Sequence, residues 1–261
     1  MQKSLVPKND EFVDFSRHKR TLEERLGSIK IEPGAAEEEA RKAGAKLLRD
    51  KLFGLFKVTD IINTFLKWGE ETDKAVKGIK REKLFEAYLN LSDSNEESIS
   101  QLKEFLSNPS GNVLFNKILR ITDDNPPDIE LIDHLSLTLY RIVNSDFEQL
   151  FSEHKYALSQ IERLTPQALT ILSDCANWPP FTLGSFSTSG GIVTSEWVNE
   201  FSQAYADRKG VTDPSKRLRI SHASHELHNI GLVVAGRQQE DAPFSCFFTP
   251  IGHEIRKYIQ R

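Results

Sequence analysis

The residues whose types and spacing could bind a metal are three histidines and a glutamate in one short run. The run is His-Ala-Ser-His-Glu-Leu-His, with histidines at His222, His225 and His228 and a glutamate at Glu226. A zincin helix needs a second histidine four residues after the first, so that both imidazoles share one face, and Asn229 occupies that position after His225. The spacing favours solvated or hydrogen-bonded histidines, although His225 and His228 could share a metal in a dimer. We therefore predict no metal site.

Two other polar segments lack the patterns that catalysis requires. The Ser-Thr-Ser-Gly-Gly segment at 187–191 has no lysine after its glycines and no framing strand and helix, so it is expected to be a flexible connection rather than a phosphate-binding loop. Asp123, Asp124 and Asp128 flank a Pro-Pro turn, where helix capping is a sufficient role for them. The sequence offers no catalytic pair, and we expect a protein that is not an enzyme and uses no cofactor.

Length and composition predict a folded protein of two domains. The chain has 261 residues, of which 38% are hydrophobic and 28% are charged. Cys175 and Cys246 lie far apart without metal-ligand spacing, which fits a reducing compartment. The sequence contains no signal-peptide core and no apolar run of ~18 residues. We therefore expect the protein to be cytoplasmic.

The first 163 residues are predicted to be helical. A charged, partly ordered lead-in at 1–34 ends in a Pro-Gly pair, and a helical domain follows at 35–163. The Asn-Pro-Ser-Gly stretch at 108–111 is expected to end one helix, and Asp128 is expected to cap another. Apolar residues and helix boundaries predict helices at 99–106, 113–121, 129–142 and 146–163.

An aromatic stretch near the start of the helical domain could bind a membrane surface. Lysines and arginines between Ala45 and Trp68 accompany an apolar face that contains Phe53, Phe56, Phe65 and Trp68. A helical domain needs such a face for its core, and we favour this interpretation. Membrane or partner binding through these four aromatic residues is the alternative.

Residues 164–261 have the element order of a winged helix-turn-helix. Three pairs of a capping residue and a proline predict helix starts, at Thr165-Pro166, Asp213-Pro214 and Thr249-Pro250. Another helix is expected from Ser195, and strands at 232–237 and 244–248 would form the wing. The sequence therefore predicts a mainly α fold, in which an N-terminal helical domain precedes a winged helix-turn-helix with a small two- or three-stranded β-wing.

The helix that begins at Pro214 is predicted to present a polar surface, as a recognition helix does. The residues expected to face inward are Ile220, Ala223, Leu227 and Ile230. The residues expected to face outward are Arg217, Ser221, His225 and His228. Contacts to a partner or to nucleic acid are predicted for Lys216, Arg217, Arg219, Ser221, His225, His228, Arg237, Gln238 and Gln239.

The charge of this region does not favour strong DNA binding. From Leu164 onward the chain has nine lysines and arginines against nine aspartates and glutamates. A neutral surface lacks the basic field that drives non-specific DNA binding. Because a fold does not dictate its function and winged helices also bind proteins, we favour a protein partner or self-association over direct nucleic-acid recognition.

Several short segments are similar to known sequences. They are the amphipathic stretch from Ala43 to Trp68, the segment from Ile161 to Leu172, and the Leu-His-Asn-Ile-Gly-Leu-Val and Phe-Thr-Pro-Ile-Gly segments near the end of the chain. Over about two thirds of its length the chain resembles the abortive-infection alpha family of bacterial proteins. The resemblance implies a bacterial origin and a part in defence against phage, and it carries over no catalytic residues. The Ser/Gly segment before Trp197 and the histidine run depart from the family pattern.

Three functions follow from these observations. The first is a non-enzymatic bacterial interaction protein whose winged helix binds a partner. The second is a DNA-binding transcriptional regulator in which Arg217, Ser221 and His225 contact the major groove. The third is a peripheral membrane effector that uses the aromatic stretch. Salt-sensitive DNA affinity would distinguish the second from the others, and liposome co-sedimentation would distinguish the third.

Overall fold

A computed structural model of the protein describes residues 74–92, 96–124, 128–188, 191–239 and 241–260. These residues are mainly α-helical, and they include two small antiparallel sheets of two strands each. The mainly α fold that the sequence predicts is therefore confirmed.

Two of the predicted segments lie outside the described residues. They are the charged lead-in at 1–34 and the aromatic stretch that contains Phe53, Phe56, Phe65 and Trp68. The predictions made for them stay predictions.

Five helices form the first part of the described chain. They are α1 (Lys74–Leu91), α2 (Glu96–Ser107), α3 (Pro109–Asp124), α4 (Ile129–Val143) and α5 (Phe151–Glu162). Helix α4 is central, because it packs against α1, α2 and α3. Its residues Ile132, Leu135, Leu139 and Ile142 are buried, as their helical spacing predicts. Asp128 caps α4 as expected, since its side chain accepts a hydrogen bond from Glu130 N at 2.8 Å.

The junction between α2 and α3 differs from the sequence prediction. The stretch at 108–111 was expected only to end a helix, with the next helix at 113–121, but α3 already begins at Pro109. Asn108 acts as a cap, with its Oδ1 accepting a hydrogen bond from Ser110 N at 2.8 Å. Proline is tolerated in the first turn because its missing N–H would have no intrahelical partner there. The same residues that end α2 therefore start α3.

The remaining described residues hold four helices, a 3₁₀ turn and four short strands. They are α6 (Pro166–Ser173), the 3₁₀ turn (Cys175–Asn177), β1 (Ser185–Thr188), β2 (Gly191–Thr194), α7 (Trp197–Arg208), α8 (Pro214–Asn229), β3 (Val233–Gly236), β4 (Ser245–Phe248) and α9 (Pro250–Ile259). Thr165, Asp213 and Thr249 each cap a helix whose first residue is proline, which confirms the three predicted helix starts.

Ser187, Thr188 and Gly191, which belong to the segment expected to be a flexible connection, lie in the two paired strands of a small hairpin. Strands β1 and β2 pair antiparallel, with Ser185 opposite Thr194. Two hydrogen bonds hold the base of the hairpin, from Ser195 N to Gly184 O at 2.8 Å and from Gly184 N to Ser195 Oγ at 2.7 Å. The prediction of a flexible connection was wrong because serine and threonine are as compatible with a short ladder as with a loop.

Helix α9 joins the two halves of the chain. It packs against α4, α5, α6 and β4. The hydroxyl of Thr138 on α4 shares its proton between His134 O at 2.8 Å and Tyr258 O on α9 at 3.2 Å. Buried apolar residues from both sides of residue 163 belong to one hydrophobic cluster. The position of the domain boundary stays a prediction.

Candidate interaction surface

Helix α8 is held in place by an apolar side that packs into the core. Ile220, Ala223 and Leu227 are almost fully buried, and Ile230 packs partly buried against the same core. This confirms the predicted inward side. Glu226 connects the helix to the start of α6, because its carboxylate accepts hydrogen bonds from Thr165 N and Thr165 Oγ1, both at 2.7 Å. The packing of α8 against α6 and α7 decides which of its polar residues reach solvent.

Arg217 and Ser221 were expected to face outward, but they lie on the side of α8 that faces α7. The Arg217 guanidinium forms an ion pair with Asp207 on α7, and it also donates a hydrogen bond to Val211 O at 3.0 Å. Ser221 lines a cleft between the two helices. The outward orientation is therefore wrong for these two residues, and for Arg217 the reason is its ion pair with Asp207 on α7.

Two of the histidines also face α7. His225 Nε2 forms a hydrogen bond with Asn199 Oδ1 at 3.0 Å, and His225 Nδ1 lies 4.0 Å from Glu196 Oε1. The ring of His228 packs edge-on against Trp197, with centroids 4.9 Å apart. These two histidines therefore connect α8 to the start of α7. Within the described ranges, no group of three or more His, Cys, Asp or Glu side chains could hold a metal ion.

The outward side of α8 carries a different set of residues. The exposed ones are Ser215, Leu218, Arg219, His222 and Asn229. Leu218 is 65% exposed, which makes it the most exposed large apolar side chain among the described residues. Sequence analysis predicted Arg219 but missed Leu218. Leu218 could have been identified from the sequence, because it is an apolar residue at a helix position away from the inward side.

The predicted wing residues follow β3. Arg237 lies over the ring of Phe244, with its guanidinium carbon 4.1 Å from the ring centroid. Gln238 and Gln239 are exposed in the connection between β3 and β4. Lys216 is half-buried in the first turn of α8, where its backbone N–H donates to the capping carboxylate of Asp213 at 3.1 Å. The predicted residues therefore divide into an α7-facing group, an outward group and a wing group.

The cleft between α7 and α8 has a volume of about 400 Å³. Its lining is polar apart from one alanine, and consists of Asn199, Ser202, Gln203, Ala206, Arg217 and Ser221. Pockets that bind small molecules have volumes of a few hundred Å³ or more. The cleft is therefore large enough for a ligand the size of a nucleoside or a short peptide side chain.

A hydrogen-bonded serine–histidine–tyrosine chain, centred on the buried His154, lies elsewhere, where α9 contacts α5. His154 Nε2 lies 2.9 Å from Ser145 Oγ, and His154 Nδ1 lies 2.9 Å from the hydroxyl of Tyr258. Ser145 Oγ donates its own proton to Ile142 O at 2.7 Å, so the histidine Nε2–H must donate to the serine. Nδ1 of the neutral His154 then accepts a hydrogen bond from the hydroxyl of Tyr258. Sequence analysis missed this chain, because its residues are distant along the sequence.

This arrangement is structural rather than nucleophilic. A nucleophilic serine must donate its hydrogen bond to the histidine, whereas this serine accepts a hydrogen bond from the histidine and donates its own to Ile142 O. Burial lowers the pKa of His154, against the weaker opposing effect of Glu153. Burial, together with Glu254 and Glu153, raises the pKa of Tyr258 to about 12. The hydrogen bonds among these three side chains therefore hold α9 in place through neutral groups.

Comparison with known proteins gives no further guidance on this surface. No family model, no curated protein and no solved structure matches the chain. Among the described residues, no helix is both long enough and apolar enough to cross a membrane.

Proposed function

We propose that the C-terminal region is a winged helix with a three-stranded wing. Its elements follow in the order α6, α7, α8, β3, β4 and α9. Phe181 lies between α6 and α7 and forms an isolated bridge with Phe244, just before β4. The two residues exchange both backbone hydrogen bonds, each at 2.9 Å. This bridge supports the proposal because it adds a third extended segment beside β4, as a three-stranded wing requires.

The function that we propose for this region is binding of a protein partner through the outward side of α8. The observation that carries the proposal is the exposure of Leu218, at 65%, between the polar residues Ser215, Arg219 and His222. An isolated apolar side chain on a surface is common. An apolar anchor within a polar rim on a rigid helix is the usual composition of a protein-binding site. The role in phage defence rests on the sequence resemblance and stays a prediction.

The charges near α8 favour a protein over nucleic acid. Arg217 is paired with Asp207, and Arg237 lies over Phe244. Glu196 and Glu200 lie at the start of α7, and their negative charges would repel a DNA phosphate. Tight DNA binding requires several basic side chains to contact phosphates, and each contact adds to the salt dependence.

Photo-crosslinking from the outward side of α8 tests this proposal. A photoreactive amino acid placed at Ser215, which is exposed one helical turn before Leu218, should form a covalent adduct in the cells that naturally produce the protein. The adduct should be lost when Leu218→Asp is added. The matched control is Val113→Asp, because Val113 is 51% exposed on α3 and is not part of the surface. Mass spectrometry of the adduct distinguishes a second copy of the chain from another protein.

The proposal fails if the adduct persists with Leu218→Asp at wild-type yield. It also fails if Val113→Asp removes the adduct to the same extent, since the loss would then not be specific to α8. Circular dichroism of each variant confirms that the fold is retained.

DNA binding is the second function to test, because Arg219 is exposed beside Ser215 on α8. Fluorescence anisotropy of the protein with duplex DNA and single-stranded RNA, titrated from low to physiological salt, measures it directly. Binding that survives at physiological salt and is lost in Arg219→Ala would favour a regulator. Absence of binding at low salt would exclude that function and leave the protein partner.

A further inference from the structure

We propose that protonation of His154 releases the second half of α9 from α5, so that the docking of α9 depends on pH while the other helices stay folded. This inference does not depend on the protein partner of α8, because His154 lies on α5 and contacts α9. Three observations carry it: the hydrogen bonds of His154, its burial among the surrounding charges, and the position of α9 in the described chain.

The hydrogen bonds of His154 require a neutral imidazole. Nε2 donates to Ser145 Oγ, because that hydroxyl gives its own proton to Ile142 O. Nδ1 lies 2.9 Å from the hydroxyl of Tyr258 and accepts from it. A protonated imidazole carries a hydrogen on both nitrogens, so Nδ1 can no longer accept. Tyr258 would then have to accept from the histidine, and its own proton would lose its only acceptor among the described residues.

Burial makes a positive charge on His154 unfavourable. Only 3% of the residue is exposed, and the ring packs edge-on against Tyr258 with centroids 5.7 Å apart. Removing an ion from water costs free energy unless a close opposite charge compensates for it. The contact between α5 and α9 is therefore stable only with neutral His154, whereas a released α9 would let water reach the imidazole.

The surrounding charges do not compensate for this burial. Charged side chains near the contact come from α3, α4 and α9. They are Lys117, which is paired with Glu162 on α5, Arg141, Glu254, Arg256 and Lys257. The charged group that favours protonated His154 is Glu153, on α5 itself, and its effect on the pKa of His154 is weaker than that of burial.

Release can be confined to the second half of α9. No described helix or strand follows α9, and its second half meets the core through the fully buried Ile255 and Ile259. The first turn has separate anchors, because Thr249 caps it and Gly252 lies close to Leu232 O. Helix α5, in contrast, lies between α4 and α6 in the chain. The second half of α9 can therefore open about its first turn while α5 stays in place.

The pKa of a histidine in water sets the size of the effect. In the open state His154 has its ordinary pKa of 6.5, and in the closed state burial keeps it neutral. Between pH 7.5 and 5.5 the protonated fraction of the open state increases from about one-tenth to about nine-tenths. The neutral open form, which is in equilibrium with the closed state, becomes about tenfold rarer. The opening equilibrium of α9 should therefore increase by up to about tenfold.

Hydrogen–deuterium exchange of the full-length protein at pH 7.5 and 5.5 measures this opening. After correction for the intrinsic exchange rate at each pH, amides in the second half of α9 should exchange up to about tenfold faster at pH 5.5. A local opening exposes little surface, so this exchange should not respond to urea well below the unfolding midpoint. Amides of α4, at the centre of the helical core, should exchange more slowly than those of α9 at both pH values.

Two variants assign the response to His154. In His154→Gln, an amide can donate to Ser145 and accept from Tyr258 without titrating, so the exchange of α9 should no longer depend on pH. The matched control is His253→Gln, because His253 is an exposed histidine on α9 itself, and it should keep the wild-type response. Tyr258→Phe removes the hydroxyl that bonds to His154 and should raise the exchange of α9 already at pH 7.5.

Several results would overturn the inference. Exchange of α9 that is the same at both pH values would show that His154 does not control its docking. Exchange that increases with urea as that of α4 does would show unfolding of the whole core instead of local release. A pH response that persists in His154→Gln, or is lost in His253→Gln, would assign it to another group. None of these results affects the crosslinking test, which reports on Leu218.

Discussion

Replacement of Gly252 by alanine tests how closely α9 packs against the residue before β3. Gly252 is buried in the first turn of α9. A Cβ at this position would overlap the carbonyl oxygen of Leu232, and it would lie 3.0 Å from the carbonyl carbon and 3.1 Å from Phe248 Cδ1. Leu232 O is fixed, because it accepts a hydrogen bond from Thr249 N at 3.0 Å. Helix α9 must therefore move to admit a methyl group.

Three effects determine the change in the free energy of unfolding. Overpacking a close contact costs ~1–3 kcal/mol. Moving α9 also weakens the cap, in which Thr249 Oγ1 accepts from Gly252 N at 3.1 Å and donates to Gly231 O at 2.6 Å, and a lost cap costs ~1 kcal/mol. The higher helix propensity of alanine offsets ~1 kcal/mol of this loss in the free energy of unfolding. We expect a net loss of ~2 kcal/mol.

Urea unfolding followed by far-ultraviolet circular dichroism measures this loss as a lower midpoint at constant m value. Gly236→Ala is the matched control, because the nearest atoms to its new Cβ would be ring carbons of Phe247 at 3.3 and 3.4 Å, and a side chain can move aside. Its cost should stay below ~1 kcal/mol. A wild-type midpoint for Gly252→Ala, or equal losses in both variants, would refute the close packing of α9.

Three further predictions concern titratable groups. Burial lowers the pKa of His154, so the unfolded state binds the proton at a higher pH than the folded state does. The contribution of His154 to the free energy of unfolding should therefore be complete above pH 6.5 and decrease as the pH falls through the lower, folded-state pKa. Urea titrations between pH 5 and 8 test this, and a free energy that does not change with pH would contradict it. Glu226→Gln removes the charge from two hydrogen bonds to Thr165, and it should lower the free energy of unfolding by ~1 kcal/mol because the contact is partly exposed. The loss is measured as a lower Tm, and an unchanged Tm would show that the contact adds no stability. Burial raises the pKa of the Cys246 thiol to about 12. A thiol reagent at pH 8 should therefore modify Cys175 alone in the folded protein and both cysteines in urea. Rapid reaction of two thiols without urea would contradict this, because it would show that Cys246 is accessible.

Local chemistry made the helix starts predictable. A threonine or aspartate followed by proline satisfies a free backbone N–H and presets the first helical turn, and neither effect depends on distant residues. Thr165, Asp213 and Thr249 confirm this. Asn108 follows the same rule, but the sequence prediction took it as the end of a helix only. Capping residues therefore mark both the end of one helix and the start of the next.

For the polar residues of α8, the sequence did not predict which ones face solvent and which ones face α7. Helical spacing correctly separated Ile220, Ala223 and Leu227 from the polar positions. It could not divide the polar positions further, because a polar side chain is equally compatible with solvent and with a polar partner on another helix. The ion pair of Arg217 with Asp207 resolved that choice and left Leu218 exposed instead.

The sequence by itself determined the mainly α fold, the helix caps and the inward side of α8, because these depend on residue type and on periodicity along one element. Only the tertiary structure decided which polar residues meet. His154 and Tyr258 are 104 positions apart, and their hydrogen bond exists because α9 packs against α5. The cleft between α7 and α8 likewise depends on the relative placement of two helices. Contacts between distant elements are set by packing of the whole core, which no local pattern encodes.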